Sequence, residues 1–189
     1  MSNSEINILR LLLSNKEERY TIKKISELLK INYRIAYEKI LLLEKEGLIK
    51  VTKAGNSKVS ELTNKFNQKV FEAEYGRIQE LSKDFSIILD YYRRNMKSQF
   101  YVLLLFGSYA KNTQKKHSDI DLLFIIPDDA DEKEIEQVSA MIPLKIHPQI
   151  FKEKEFIAMK RSKEVTVGSE AIKNNVILHG IEYYYEMIQ

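Results

Sequence analysis

The sequence contains no cysteine and no tryptophan, and only three of its 189 residues are proline. The absence of cysteine excludes a disulfide framework, a zinc–thiolate site, an iron–sulfur cluster and a cysteine nucleophile. Long apolar runs are missing as well, since residues 9–13, 102–106 and 122–126 are each too short to cross a bilayer. No basic segment of a signal peptide precedes the first of them. We therefore expect a cytoplasmic protein with no membrane partner.

Composition and charge describe a folded protein whose halves differ. Hydrophobic residues make up 44% of the chain and charged residues 30%, which is typical of globular proteins. The net charge is +3. Residues 1–95 hold 18 Lys/Arg against 13 Asp/Glu, a balance of +5, whereas residues 96–189 hold 12 against 14, a balance of −2. This asymmetry favours an anion-binding N-terminal module joined to a different domain.

Residues 4–62 follow a pattern of three short helices and a hairpin. An apolar helix covers residues 6–13, and Thr21 is a suitable N-cap for a second helix. A third helix follows Asn32, and Gly47 lies where a left-handed C-terminal cap belongs. Residues 48–53 and 58–62 are two strand-like segments separated by a turn, which predicts a hairpin with a basic tip.

This order resembles the winged helix–turn–helix domain of many transcription regulators. The resemblance implies DNA binding, with the third helix in the major groove and the wing tip on phosphate or in the minor groove. The expected DNA-binding residues are, on the helix, Tyr33, Arg34 and Tyr37 and, on the wing, Lys53, Asn56 and Lys58. Because +5 is a mild charge for a nucleic-acid footprint, a small helical module for protein contacts stays open as the alternative.

Residues 64–95 repeat an apolar side chain every three or four positions, from Phe71 and Tyr75 through Phe85 to Tyr92. This spacing predicts one long amphipathic helix of about 45 Å. Two interpretations stay open. The helix pairs two copies of the chain into a homodimer, or it is a spacer packed on the next domain.

The sharpest chemical pattern lies in residues 100–126. An uninterrupted apolar run predicts a buried central strand, which ends at Gly107 and Ser108. Asp119 and Asp121 open the next strand and point to the same side, because side chains alternate along a strand. Two such carboxylates repel each other unless a cation lies between them, and hard oxygen ligands suit Mg²⁺. The small Gly107–Ser108 turn lets a phosphate approach the backbone, near Lys111.

Gly-Ser, a ten-residue gap and Asp-Ile-Asp at the start of a strand resemble the signature of the nucleotidyltransferase fold, the superfamily of DNA polymerase beta. The residues of this motif are most similar to those of the minimal nucleotidyltransferases. The resemblance implies transfer of a nucleoside monophosphate from a nucleoside triphosphate (NTP) to an acceptor hydroxyl, with two Mg²⁺ ions. It implies that Gly107 and Ser108, with Lys111, hold the triphosphate. It also implies that Asp119 and Asp121 are the catalytic ligands of Mg²⁺.

The family's third carboxylate is not found. It should lie on the next core strand, which we place at residues 144–151, and neither face of that segment carries an acid. His147 and Gln149 are poor Mg²⁺ ligands, and Glu153 lies beyond the strand. The sequence therefore leaves open whether the domain is an active enzyme, since nucleotide binding survives this loss more easily than catalysis does.

The predicted fold is α+β, with a winged helix–turn–helix at 1–63, a long connecting helix at 64–95 and a nucleotidyltransferase-like mixed sheet with helices at 96–189. One functional hypothesis is a Mg²⁺-dependent nucleotidyltransferase that carries a DNA-binding domain. The alternative is a DNA-binding transcription regulator whose transferase-like domain senses a nucleotide or forms a dimer. DNA and an NTP are the expected partners, and the sequence does not specify the acceptor.

Overall fold

A computed structural model describes residues 3–116, 118–130, 132–161 and 167–189. The chain divides into two compact units, Met1–Arg77 together with Gln189, and Ile78–Ile188. Each unit combines helices with one sheet, which confirms the predicted α+β class. None of the helices in the described ranges has the length and apolar character needed to cross a bilayer.

The N-terminal unit has the predicted order of three helices and a hairpin, with one addition. Its first elements are α1 (Ser4–Ser14), β1 (Tyr20–Thr21), α2 (Ile22–Leu28), α3 (Tyr33–Lys45), β2 (Ile49–Ala54) and β3 (Ser57–Leu62). β2 and β3 form an antiparallel hairpin, and the short β1 pairs with the other edge of β3. The result is a winged helix with a three-stranded sheet.

Local capping explains where these helices begin and end. The Thr21 hydroxyl accepts a hydrogen bond of 3.1 Å from the Lys24 backbone N–H, as the N-cap prediction required. The Asn32 side chain does the same for the N–H of Arg34 at 2.8 Å. Gly47 has φ +74°, so α3 ends in the left-handed conformation that glycine adopts without strain.

The prediction of a single helix over residues 64–95 is wrong. Two helices occupy this segment, α4 (Gln68–Gln79) and α5 (Lys83–Asn95). Ser82 between them is extended, with φ −61° and ψ 161°. The apolar spacing continues through the break, which is why periodicity alone did not reveal it.

Only the second of the two helices buries the predicted stripe, since α4 buries Val70, Ala73, Glu74 and Arg77 instead. Tyr75 of α4 is 51% exposed, whereas α5 buries Phe85, Ile88 and Tyr92 in the core of the C-terminal unit. The apolar face that was expected to pair two copies is therefore already covered in α5. A homodimer stays a prediction, without this helix as its basis.

The C-terminal unit contains the predicted mixed sheet. After α5 it comprises β4 (Val102–Leu105), α6 (Gly107–Ala110), β5 (Ile120–Ile126), α7 (Glu132–Met141), β6 (Ile146–Lys152), α8 (Glu153–Arg161), α9 (Val167–Lys173), β7 (Val176–His179) and α10 (Ile181–Ile188). The strand order is β6-β5-β4-β7, with β5 and β6 parallel and the other pairs antiparallel. Every residue of β4 is buried, as its uninterrupted apolar run predicted.

Gly180 connects β7 to α10, and its substitution tests how closely this turn packs on β4. Its φ is +75°, and a Cβ on it would lie 2.7 Å from the Tyr101 carbonyl oxygen. Gly180→Ala should therefore lower the free energy of unfolding by roughly 2–4 kcal/mol, from left-handed strain and steric overlap together. Gly55→Ala is the control, since Gly55 has φ +59° but open space around it. Equal losses in urea denaturation of the two variants would contradict the close approach at Gly180.

Candidate functional site

The end of β4 and the beginning of β5 bring Gly107 beside the two aspartates. The Phe106 backbone N–H donates to the Asp121 carbonyl oxygen at 3.1 Å, which holds the two strand ends together. Gly107 follows with φ +68°, and a Cβ on this residue would overlap Asp121 Oδ2. Only glycine therefore lets the carboxylate approach the turn so closely. Ser108 follows in α6 and is half-buried.

β6 runs parallel to β5, and two basic side chains at its start, Lys145 immediately before the strand and His147 on it, were not assigned to the site from the sequence. The register places Asp121 opposite His147, and the Ile120 N–H donates to the Lys145 carbonyl at 2.9 Å. Lys145 Nζ lies 2.6 Å from Asp119 Oδ1, and His147 Nδ1 lies 3.5 Å from Asp121 Oδ1. Each aspartate thus has one basic neighbour on the adjacent strand.

The aspartates fit a hard divalent cation. Asp119 Oδ1 is buried, and no hydrogen bond of acceptable geometry reaches it from the described part of the chain. Its contact with Lys145 is an ion pair, which shows that this carboxylate oxygen attracts a cation. Asp119 and Asp121 could hold Mg²⁺, with water and phosphate oxygens completing the coordination shell.

A third acidic ligand is absent from the described residues, where no group of three or more His, Cys, Asp or Glu side chains could hold a metal ion. Glu153 begins α8 at the far end of β6, six residues beyond His147 or roughly 20 Å along the strand. Its carboxylate accepts a hydrogen bond of 2.5 Å from the Tyr183 hydroxyl. Glu153 is therefore not the missing ligand.

Lys111 follows α6, but its ammonium group forms an ion pair with Glu170 of α9. Both side chains are partly exposed. The predicted contact of Lys111 with a phosphate requires this pair to open, and that role stays a prediction.

In the N-terminal unit, four of the six predicted DNA-binding residues meet at one open pocket of about 410 Å³. The pocket lies between α3 and the wing, and its lining comprises Thr21, Ile22, Lys23, Tyr33, Tyr37, Asn56, Ser57 and Lys58. Thr21, Lys23 and Ser57 were not predicted as site residues. Thr21 reaches the pocket because β1 pairs with β3, a contact between distant segments that the sequence pattern did not indicate, whereas Ser57 lies on the wing between Asn56 and Lys58.

Lys58 links the wing to α3. Its ammonium donates to the Tyr37 hydroxyl at 3.0 Å, and this hydrogen bond raises the pKa of Lys58 above its usual value. Lys53 lies directly opposite Lys58 in the hairpin. Two lysines facing each other across a ladder are unfavourable until an anion neutralises them.

Arg34, the remaining predicted residue, is exposed at the start of α3. Its guanidinium pairs with Glu38 one turn later at 2.9 Å, and the Arg34 side chain is 86% exposed. A surface pair of this kind is weak, so it leaves Arg34 available to other anions.

Comparison with known proteins supports the C-terminal assignment. Residues 89–170 match the nucleotidyltransferase domain family. Among curated proteins, none matches the chain.

Several solved structures are similar to parts of the chain. One, a crystal structure of "the toxin-antitoxin with AMP-PNP", is 18% identical over 55% of this chain and 78% of that chain, with a TM-score of 0.38. ZitR of Lactococcus lactis is 25% identical over 49% and 64%, with a TM-score of 0.33. The adhesin competence repressor AdcR of Streptococcus pyogenes is 23% identical over 50% and 78%, also with a TM-score of 0.33. Similarity at these TM-scores carries no conclusion about function.

The family match spans β4, Gly107, β5 and β6, which are the elements that assemble the aspartate site. It confirms the resemblance that the Gly-Ser and Asp-Ile-Asp motifs indicated. The chain therefore contains a nucleotidyltransferase domain, at residues 89–170.

Proposed function

We propose that the C-terminal unit binds an NTP together with Mg²⁺ and transfers the nucleoside monophosphate to an acceptor hydroxyl. We further propose that the N-terminal unit binds duplex DNA. The observation that carries the first proposal is the Asp121 carboxylate against the Gly107 turn, with the buried Asp119 Oδ1 immediately before β5.

Each residue of the site has a distinct task in this proposal. Asp119 and Asp121 hold Mg²⁺, while the backbone at Gly107 and Ser108 lies open to the triphosphate because glycine has no side chain there. Bound Mg²⁺ polarises the phosphate oxygens and neutralises the charge that develops on them. The buried Asp119 Oδ1, whose partner in the free protein is the Lys145 ammonium, then also contacts Mg²⁺.

The transfer itself is a displacement at phosphorus. The acceptor oxygen forms a bond to the α-phosphorus while the bond from that phosphorus to the pyrophosphate oxygen breaks. The acceptor hydroxyl releases its proton to solvent, and pyrophosphate leaves. The aspartates contribute by fixing the position of the α-phosphate relative to the acceptor.

The side chains at the start of β6 favour a second candidate function. Lys145 and His147 lie beside the aspartates there, and neither is a carboxylate. Such a site can keep nucleotide binding and lose the group that helps to deprotonate the acceptor. The chain would then be a DNA-binding regulator that senses a nucleotide.

DNA binding is supported by the surface at α3 and the wing. The pocket there combines two lysines with two tyrosines, and Lys53 lies across the hairpin from Lys58. Cationic groups on a wing suit phosphates, and the exposed N-terminal turn of α3 suits base edges.

Ligand-induced stabilisation tests the Mg²⁺–NTP site. Adding Mg²⁺ and NTP together at about 100 times the dissociation constant should stabilise the C-terminal unit by roughly 2.7 kcal/mol, and either alone by less. Asp119→Asn and Asp121→Asn should abolish this synergy in Tm, because each removes a ligand charge. Asp128→Asn is the matched control, since Asp128 also pairs with a lysine but lies at the other end of β6. Full synergy in the two site variants would exclude these aspartates as the metal site.

A transfer assay separates the two candidate functions. The full chain is incubated with Mg²⁺, NTP labelled at the α-phosphate and cell extract, and labelled products are followed. An active nucleotidyltransferase should label an acceptor, and Asp121→Asn should lose this label. A synergistic rise in Tm without any label would instead favour the sensor.

Binding to mixed duplex DNA at several salt concentrations tests the wing. Lys53→Gln and Lys58→Gln should each weaken binding to all sequences and reduce the salt slope by about 0.9, the value for one lost phosphate contact. Lys45→Gln is the control, because Lys45 is exposed at the opposite end of α3, roughly 15 Å or more from its first turn. Binding that does not change with salt would argue against a DNA-binding wing.

A further inference from the structure

We propose that Lys145 takes the place of one divalent cation, so that this chain binds a single Mg²⁺ with each NTP. The inference rests on the proposed function of the same site and specifies its metal content. It concerns a residue that the sequence motifs did not single out.

The position of Lys145 is fixed by the sheet. Its carbonyl oxygen accepts the Ile120 N–H at 2.9 Å, one residue before β6 begins. Its ammonium lies 2.6 Å from Asp119 Oδ1 and so contacts the oxygen that lacks a hydrogen bond of acceptable geometry. The ammonium therefore lies beside a carboxylate oxygen at which a second cation would otherwise bind.

The number of protein ligands favours one metal ion over two. Asp119 and Asp121 are the two acidic ligands, and the described residues offer no third acid in a metal-ligating group. One of these two carboxylates already has the Lys145 ammonium beside it. A second divalent cation would have to bind beside an ammonium without a further protein ligand, which like-charge repulsion disfavours.

Lys145 can also change partner when the nucleotide enters. Its side chain is 77% exposed and has a flexible stem, so the ammonium can turn from Asp119 to a phosphate oxygen. In the free protein it reduces the repulsion between the aspartates. In the complex it contributes the positive charge at the triphosphate that a second metal ion would bring.

Counting bound Mn²⁺ tests the inference without relying on activity. The full chain is mixed with Mn²⁺ and a non-hydrolysable NTP, and bound Mn²⁺ is measured by electron paramagnetic resonance. We expect about one Mn²⁺ per chain in the wild type and about two in Lys145→Glu, which replaces the ammonium with a carboxylate. Lys154→Glu is the matched control, because Lys154 is an equally exposed partner of Asp128 at the other end of β6, and it should stay at one.

A second variant covers the case in which Lys145→Glu does not fold. Lys145→Met should tighten Mn²⁺ binding to the nucleotide-free chain about fivefold, since it removes a positive charge near the metal. Two Mn²⁺ in the wild type, or unchanged affinity in Lys145→Met, would overturn the role of Lys145 and leave the proposed function intact. No nucleotide-dependent Mn²⁺ in the wild type would overturn the proposed function itself.

Discussion

The contact between the Asp121 carboxylate and the Gly107 backbone sets the geometry of the C-terminal unit's site. It requires glycine at the end of β4, because any Cβ would overlap Asp121 Oδ2. The hydrogen bond from Phe106 to the Asp121 carbonyl holds β5 in register with β4. Asp119 lies two residues earlier, immediately before β5, where the alternation of side chains predicts the same side. β6 then adds in parallel and places Lys145 beside that pair.

Both units place like charges at neighbouring positions of a sheet. In the C-terminal unit they are Asp119, immediately before β5, and Asp121 on β5, and in the N-terminal unit they are Lys53 and Lys58 across the wing. Such pairs weaken the free protein slightly and are relieved by a ligand of opposite charge. A divalent cation fits the first pair and a phosphate backbone fits the second. The two proposed functions therefore rest on the same principle, a pair of like charges that a ligand of opposite charge stabilises.

Secondary structure elements that are marked by local sequence patterns could be predicted from the sequence. Thr21 and Gly47 mark helix ends through capping, and the apolar run of β4 marks a buried strand. Features that depend on contacts between residues distant in sequence were not predicted. The break at Ser82 interrupts no apolar spacing, so α4 and α5 were predicted as one helix. Residues 144–151 were predicted as the next core strand, but Lys145 was not assigned to the site, because its contact with Asp119 depends on the register of β6 against β5.

We propose that the aspartate pair binds a nucleotide through a divalent cation. Calorimetric titration of an NTP into the full chain, with Mg²⁺ and then with EDTA, tests this binding. We expect saturable binding with one NTP per chain in Mg²⁺ and a loss of most of that affinity in EDTA. Equal affinity in both buffers, or no binding in either, would contradict it.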